Sequence, residues 1–167
     1  MEIRKIGVVG AGLMGSGIAQ VCAVSGYQTA VHDVSDDILE HCRSTIWRAL
    51  DRAVEKSKLS REDSEQVRTR LGFTTRLEDL GDCCWIIEAA SERFEVKKEI
   101  FERLERVAPP PAVFASNTSS LSITELMTTC RRPERFLGLH FFNPVPVMKL
   151  VEVVRTIATS DEVVKQG

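Results

Sequence analysis

The chain has 167 residues, 43% of them hydrophobic and 28% charged, with a formal net charge of −2. That size and balance fit one domain with a buried core, and they offer no basic surplus for nucleic acid or an anionic membrane. No apolar run nears the ~20 residues that span a bilayer. The five cysteines, Cys22, Cys42, Cys83, Cys84 and Cys130, are odd in number and lack C-x-x-C spacing, so neither a disulfide framework nor a metal site is expected.

Met1 to Lys5 lead directly into the apolar run Ile6-Gly7-Val8-Val9, leaving no room for a leader peptide, and the expected setting is a reducing cytoplasm. Residues 3–9 read as a strand, Leu13 to Ser25 as a helix and residues 28–33 as a second strand. Ser35 can cap a long charged helix reaching about residue 57. Ser60-Arg61-Glu62-Asp63 opens another helix, ending near Leu71. Thr75-Arg76-Leu77-Glu78 reads as a capping box for a brief helical turn.

Residues 83–88 form a strand of buried type, followed by a strongly amphipathic helix from Ser91 to Val107 that Pro109-Pro110-Pro111 ends. Strands at Val113 to Ser116, Phe136 to Phe141 and Leu150 to Val154, with a short helix from Ile123 to Cys130, complete the alternation. Ser160 begins what reads as the first turns of a new helix. Continuous apolar strands alternating with helices predict an α/β fold: a doubly wound, mainly parallel sheet covered on both faces. The departure is residues 34–71, which read as a helical hairpin inserted after the second strand. Their dense mixed charge predicts a hairpin projecting into solvent.

Gly10-Ala11-Gly12-Leu13-Met14-Gly15 matches G-x-G-x-x-G. It follows a strand and opens a helix, and Asp33 ends the next strand, which is the full dinucleotide-binding context. Gly10 permits a tight turn, Gly12 admits the pyrophosphate, and Gly15 lets the helix pack closely. The helix N-terminus offers N–H groups to phosphate. Asp33 would accept hydrogen bonds from the adenine-ribose hydroxyls and repel a 2′-phosphate, which favours NAD over NADP.

Two further stretches sit at or near strand ends: Ser116-Asn117-Thr118-Ser119-Ser120 and His140-Phe141-Phe142-Asn143-Pro144. A histidine suits proton abstraction from an alcohol near neutral pH. Glu152, in Lys149-Leu150-Val151-Glu152, could orient that ring. Ser119 and Asn143 could hydrogen-bond a substrate oxygen or hold the nicotinamide.

The glycine motif, Asn117-Thr118-Ser119-Ser120 and above all His140-Phe141-Phe142-Asn143-Pro144 resemble the L-3-hydroxyacyl-CoA dehydrogenases along essentially the whole chain, including the two-helix insertion. The resemblance implies a Rossmann-like NAD-binding domain followed, in the family, by a helical domain that makes a homodimer and is missing from these 167 residues. It implies NAD as cofactor and an acyl-CoA as substrate, oxidised from the 3-hydroxy to the 3-keto form. It further implies that His140 is the base, that Glu152 is its partner, and that Ser119 and Asn143 touch substrate and nicotinamide. Glu92, Lys97 and Asn117 match cofactor-contacting positions. Arg48, Arg52 and Lys56 on the hairpin become candidate phosphate contacts. Without the helical domain, the expectation is NAD(H) binding with poor turnover. The L-gulonate 3-dehydrogenase branch shares this motif set, and a non-catalytic NAD-binding role is a further alternative. Lysine-based relatives such as the hydroxyisobutyrate dehydrogenases lack the H-F-F-N-P run. Chain-length preference and pathway, fatty-acid β-oxidation among them, stay open.

Overall fold

In a computed structural model, residues 3–167 are described and build one seven-stranded sheet of order β3-β2-β1-β4-β5-β6-β7. The chain runs β1 (Lys5–Val9), α1 (Leu13–Val24), β2 (Gln28–His32), α2 (Asp36–Glu55), α3 (Arg61–Thr69), β3 (Leu71–Thr74), a 3-10 turn (Leu77–Leu80), β4 (Trp85–Glu88) and α4 (Phe94–Val107). It continues through β5 (Val113–Ser116), α5 (Ile123–Met127), a 3-10 turn (Pro133–Arg135), β6 (Phe136–Phe141), β7 (Val151–Arg155) and α6 (Asp161–Gln166). β1 to β6 pair in parallel and β7 pairs antiparallel with β6. This is the doubly wound, mainly parallel architecture expected from the alternation.

Both faces of the central strands are covered, as their near-continuous apolar sequences require, whereas β7 at the edge is exposed. On one side Ile6, Val8, Val31, Trp85, Ile87 and Leu137 pack against Ile18 and Ala19 of α1 and Val163 of α6. On the other, Val9, Ile86 and Phe114 meet Phe101 and Leu104 of α4 and Leu126 of α5. The Phe101 ring stands edge-on to Phe136 at 4.9 Å between centroids, a favoured aromatic geometry.

The edges of the fold depart from the sequence reading. Residues 71–74, left without a strand, form β3. Leu71, expected to end a helix, is the first residue of that strand, because α3 closes at Thr69. The strand is four residues long, contains Gly72 and lies half-buried at the sheet edge, so it carries no alternating apolar signal. Thr75 does not cap the turn after it. Thr74 Oγ1 instead accepts from the Arg76 N–H at 3.0 Å and bonds Asp79 at 2.6 Å. Ser60 does cap α3, accepting from Asp63 N at 2.9 Å.

α4 begins at Phe94 rather than Ser91, since Arg93 is extended and Glu92 serves another loop. The α5 helix stops at Met127, and residues 128–130 continue it as tightened turns. The inner face of α2 belongs to the core: Leu39, Cys42, Ile46 and Leu50, at helical spacing, are buried there. Only its outer, charged face stands in water.

Candidate active site

Every parallel strand ends on the same edge of the sheet. The strand order reverses between β1 and β4, which opens a crevice at their C-terminal ends where ligands bind in this architecture. Two adjoining clefts lie there. The larger, about 610 Å³, is lined by Gly10, Gly12, Leu13, Met14, His32, Asp33 and the start of the segment after β4. The smaller, about 370 Å³, is lined by Glu92, Lys97, Asn117, Ser119, His140 and Asn143. Met14, Ala89 and Ala90 line both, so the two form one bipartite groove.

The glycines behave as three different devices. Gly10 has φ +99°, and a Cβ there would meet the Ala89 carbonyl at 2.7 Å. A Cβ on Gly15 would fall 1.7 Å from the Gly10 carbonyl oxygen, so α1 can start only if residue 15 has no side chain. At Gly12 nothing lies within 4 Å, leaving space above the helix start. No side chain caps α1, so its first-turn N–H groups face that space unpaired by side chains, as an anion site requires.

Asp33 is fixed by backbone. Its Oδ2 accepts from Ala11 N and its Oδ1 from Val34 N, both at 2.8 Å. Each oxygen keeps a further lone pair for a ribose hydroxyl. These residues fit a dinucleotide: a phosphate-sized gap at a helix N-terminus, with a fixed carboxylate at the end of the neighbouring strand. His32, beside Asp33, is buried with its Nδ1 unpartnered. Burial pushes its pKa below the usual histidine value, and Arg103 adds to this against the opposing pull of Asp33 and Glu78.

At the second cleft a chain of polar groups runs under the floor. Glu88 is 0% exposed and Lys97 1% exposed. Lys97 Nζ donates to Glu88 Oε1 at 2.7 Å and to the Ala90 carbonyl at 3.4 Å, and sits 3.3 Å from Glu92 Oε2. Glu88 also accepts from Ala90 N at 2.7 Å and from Ser116 Oγ at 2.6 Å. Glu92 in turn gathers the next loop, accepting from Thr118 Oγ1, Ser119 N at 3.0 Å and Ser120 Oγ at 3.1 Å. Desolvation pushes the Glu92 pKa up, but the Thr118 hydroxyl, the Lys97 ammonium and the Ser119 N–H outweigh it and hold the carboxyl below its ordinary range. Asn117 Oδ1 accepts from Phe141 N at 2.9 Å, tying β5 to the end of β6.

The antiparallel pairing of β6 and β7 sets His140 directly opposite Glu152. His140 Nδ1 lies 2.8 Å from Glu152 Oε2. A carboxylate only accepts, so this bond puts the ring proton on Nδ1 and leaves Nε2 a free lone pair. The loop that follows β6 crosses α1, where a Cβ on Gly17 would meet Val145 at 2.8 Å.

The structure thus brings His140, Asn143, Ser119, Asn117, Glu92 and Lys97 to one cleft, and Gly10, Gly12, Leu13, Met14 and Asp33 to the other. Glu152 reaches the first through its bond to His140. Arg48, Arg52 and Lys56 lie exposed on or just beyond α2, away from both linings. The sequence reading missed Glu88, Ser116 and Thr118 as site residues. The available signal was a polar residue at the last position of each of two otherwise apolar neighbouring strands, Glu88 and Ser116, which the sheet register pairs.

Residues 5–167 match the family model described as the NAD-binding domain of 3-hydroxyacyl-CoA dehydrogenase. The chain is 48% identical over 159 residues to a 3-hydroxybutyryl-CoA dehydrogenase of Bradyrhizobium diazoefficiens, covering 95% of this chain and 54% of that one. It is 42% identical to the mitochondrial hydroxyacyl-coenzyme A dehydrogenase of Sus scrofa, covering 96% and 53%. A crystal structure of 3-hydroxybutyryl-CoA dehydrogenase from Escherichia coli K12 superposes with a TM-score of 0.97 at 44% identity, covering 99% of this chain and 35% of that one. The chain spans about half the length of these curated relatives.

Proposed function

Because the chain belongs to the family of 3-hydroxyacyl-CoA dehydrogenase NAD-binding domains, we propose that the complete protein interconverts an L-3-hydroxyacyl-CoA and its 3-ketoacyl-CoA, with this domain holding NAD and the catalytic base. The single observation that carries the reading is the His140–Glu152 pair at 2.8 Å, on the rim of a cleft continuous with a fitted dinucleotide groove.

The chemistry that NAD supplies when bound is acceptance of a hydride at its nicotinamide ring. The chain's own residues do the rest. His140 Nε2 takes the hydroxyl proton as the carbonyl forms. Glu152 keeps the ring in the productive tautomer and stabilises the imidazolium that results. Asn143 and Ser119 fix the substrate oxygen and the nicotinamide end, which supplies the alignment that hydride transfer needs. In the reverse direction the same imidazolium returns the proton to the ketone oxygen. Asp33 and the helix start of α1 select NAD by ribose and phosphate contacts.

The names of the relatives support an acyl-CoA substrate. The homodimer, the cytoplasmic setting and a place in fatty-acid metabolism are parts of the same proposal, resting on the family resemblance. The test is NADH consumption by the complete protein with acetoacetyl-CoA, with a His140→Ala variant alongside. Rapid oxidation that the variant loses supports the reading. A protein that binds NADH and leaves acetoacetyl-CoA untouched overturns it, and reduction of NAD with oxidation of L-gulonate would then identify the sugar-acid branch.

A further inference from the structure

We propose that Glu88 is a positioning residue for the nicotinamide end of the cofactor groove, acting through Lys97 and the backbone of residues 89–92. The inference rests on the NAD reading and adds a residue to it. Glu88 does not line either cleft and has no surface of its own. It ends a strand whose other residues, Trp85, Ile86 and Ile87, are apolar and buried. A buried ion pair is a poor way to gain stability, since well-packed apolar residues often do as well or better. What the carboxylate achieves here is geometric.

Its two oxygens serve three donors: Ala90 N at 2.7 Å, Lys97 Nζ at 2.7 Å and Ser116 Oγ at 2.6 Å. The first bond sets the path of the chain at Ala89 and Ala90, the residues common to both halves of the groove. The second aims Lys97 so that it also meets the Ala90 carbonyl and Glu92. Glu92 then fixes Thr118, Ser119 and Ser120. Glu88 is therefore the inner end of a chain of bonds that sets the spacing of two loops, 89–92 and 117–120, on either side of the smaller cleft. Lys97, whose sequence position suggested a direct cofactor contact, has its ammonium committed to Glu88, Ala90 and Glu92.

The test compares NADH with AMP, which can occupy only the adenosine half. Each is titrated into the protein and into Glu88→Gln. The expected result is NADH affinity weaker by about tenfold or more, with AMP affinity changed by no more than about threefold, because a displaced loop penalises the distal contacts first. Because Glu88→Gln uncovers the Lys97 charge, the double variant Glu88→Leu/Lys97→Met repeats the comparison with no buried charge left over, and the same split is expected. Where neither folds, Ser116→Ala decides, since it frees one carboxylate oxygen without uncovering a charge. There, NADH weakened about threefold with AMP unchanged supports the proposal. Equal weakening of both ligands, or NADH affinity within about twofold of the parent in a folded variant, overturns it. Failure of the parent itself to bind NADH would instead strike the NAD reading on which the proposal stands.

Discussion

The two halves of the groove are built by opposite means. The dinucleotide half rests on the middle of the sheet, at β1, β2 and β4, and its key atoms are backbone: the Gly10 turn, the α1 N–H groups and an Asp33 carboxylate fixed by two main-chain donors. The smaller half rests on side chains, from the ends of β4 and β5 out to the edge pair of β6 and β7, where every residue of β7 is exposed. Backbone devices tolerate almost no change at the glycines but leave neighbouring side chains free. Side-chain devices tolerate changes in packing but depend on one or two functional groups. Damage to the glycine turn should therefore abolish binding, whereas loss of the His140–Glu152 contact alone should spare it.

The largest effect is expected from Gly15→Ala. The added methyl would overlap the Gly10 carbonyl, so urea unfolding should show a loss of about 3 kcal/mol, and NADH binding should disappear with the turn. Retained binding would mean that the helix start can shift, and would erase the contrast. Glu152→Gln comes next. The amide can donate to Nδ1 and favour the wrong tautomer, so kcat of the complete protein should fall about 100-fold while NADH affinity stays within about twofold. A parallel loss of NADH affinity would show that the His140–Glu152 contact also shapes the groove.

The pH dependence sharpens the same comparison at lower amplitude. His32, on the dinucleotide side, has its pKa lowered by burial and by Arg103, so the folded state binds fewer protons than the unfolded chain. Stability is then full above about pH 6.5 and is lost as pH falls from there toward the lowered value. Glu92, on the side of the smaller cleft, also has its pKa depressed. Its contribution is full above the ordinary carboxylate range and is lost only at more acid pH. Melting curves should therefore decline in two stages, and His32→Asn should remove the first stage alone. The smallest effect concerns the thiols. Burial pushes Cys22, Cys42, Cys83 and Cys130 to about 12, so a thiol reagent at neutral pH should label half-buried Cys84 first. Rapid labelling of Cys83 would show that the layer between the central strands and the turn before β4 opens.

The sequence was most informative where one residue type has one physical use. Gly10, Gly12, Gly15 and Asp33 are legible because the motif stands between a strand and a helix, and because a φ of +99° at Gly10 and the missing Cβ at Gly15 admit only glycine. The central strands were legible because burial on both faces makes them continuously apolar. The short edge strand β3 was not, since four half-buried residues including a glycine leave no period to read. Glu88 escaped for a different reason. Its meaning depends on Lys97 and Ser116, brought to it by helix packing and sheet register, and a polar last residue on an apolar strand is a signal only once its neighbours are known. The pairing of His140 with Glu152 lies between these cases. The chemistry and the family resemblance suggested both residues, but only the antiparallel turn of β7 accounts for how residues twelve apart in sequence become neighbours.

That antiparallel strand has one more consequence. An ion pair bathed in water contributes little, and the same pair shielded from water contributes much more. Glu152 is 54% exposed in its side chain and His140 24%. What lies against the outer edge of β7, water or chain, therefore sets the dielectric around the His140–Glu152 pair. Shielding that edge from water would strengthen the contact between Glu152 and His140 without moving a single atom of the groove.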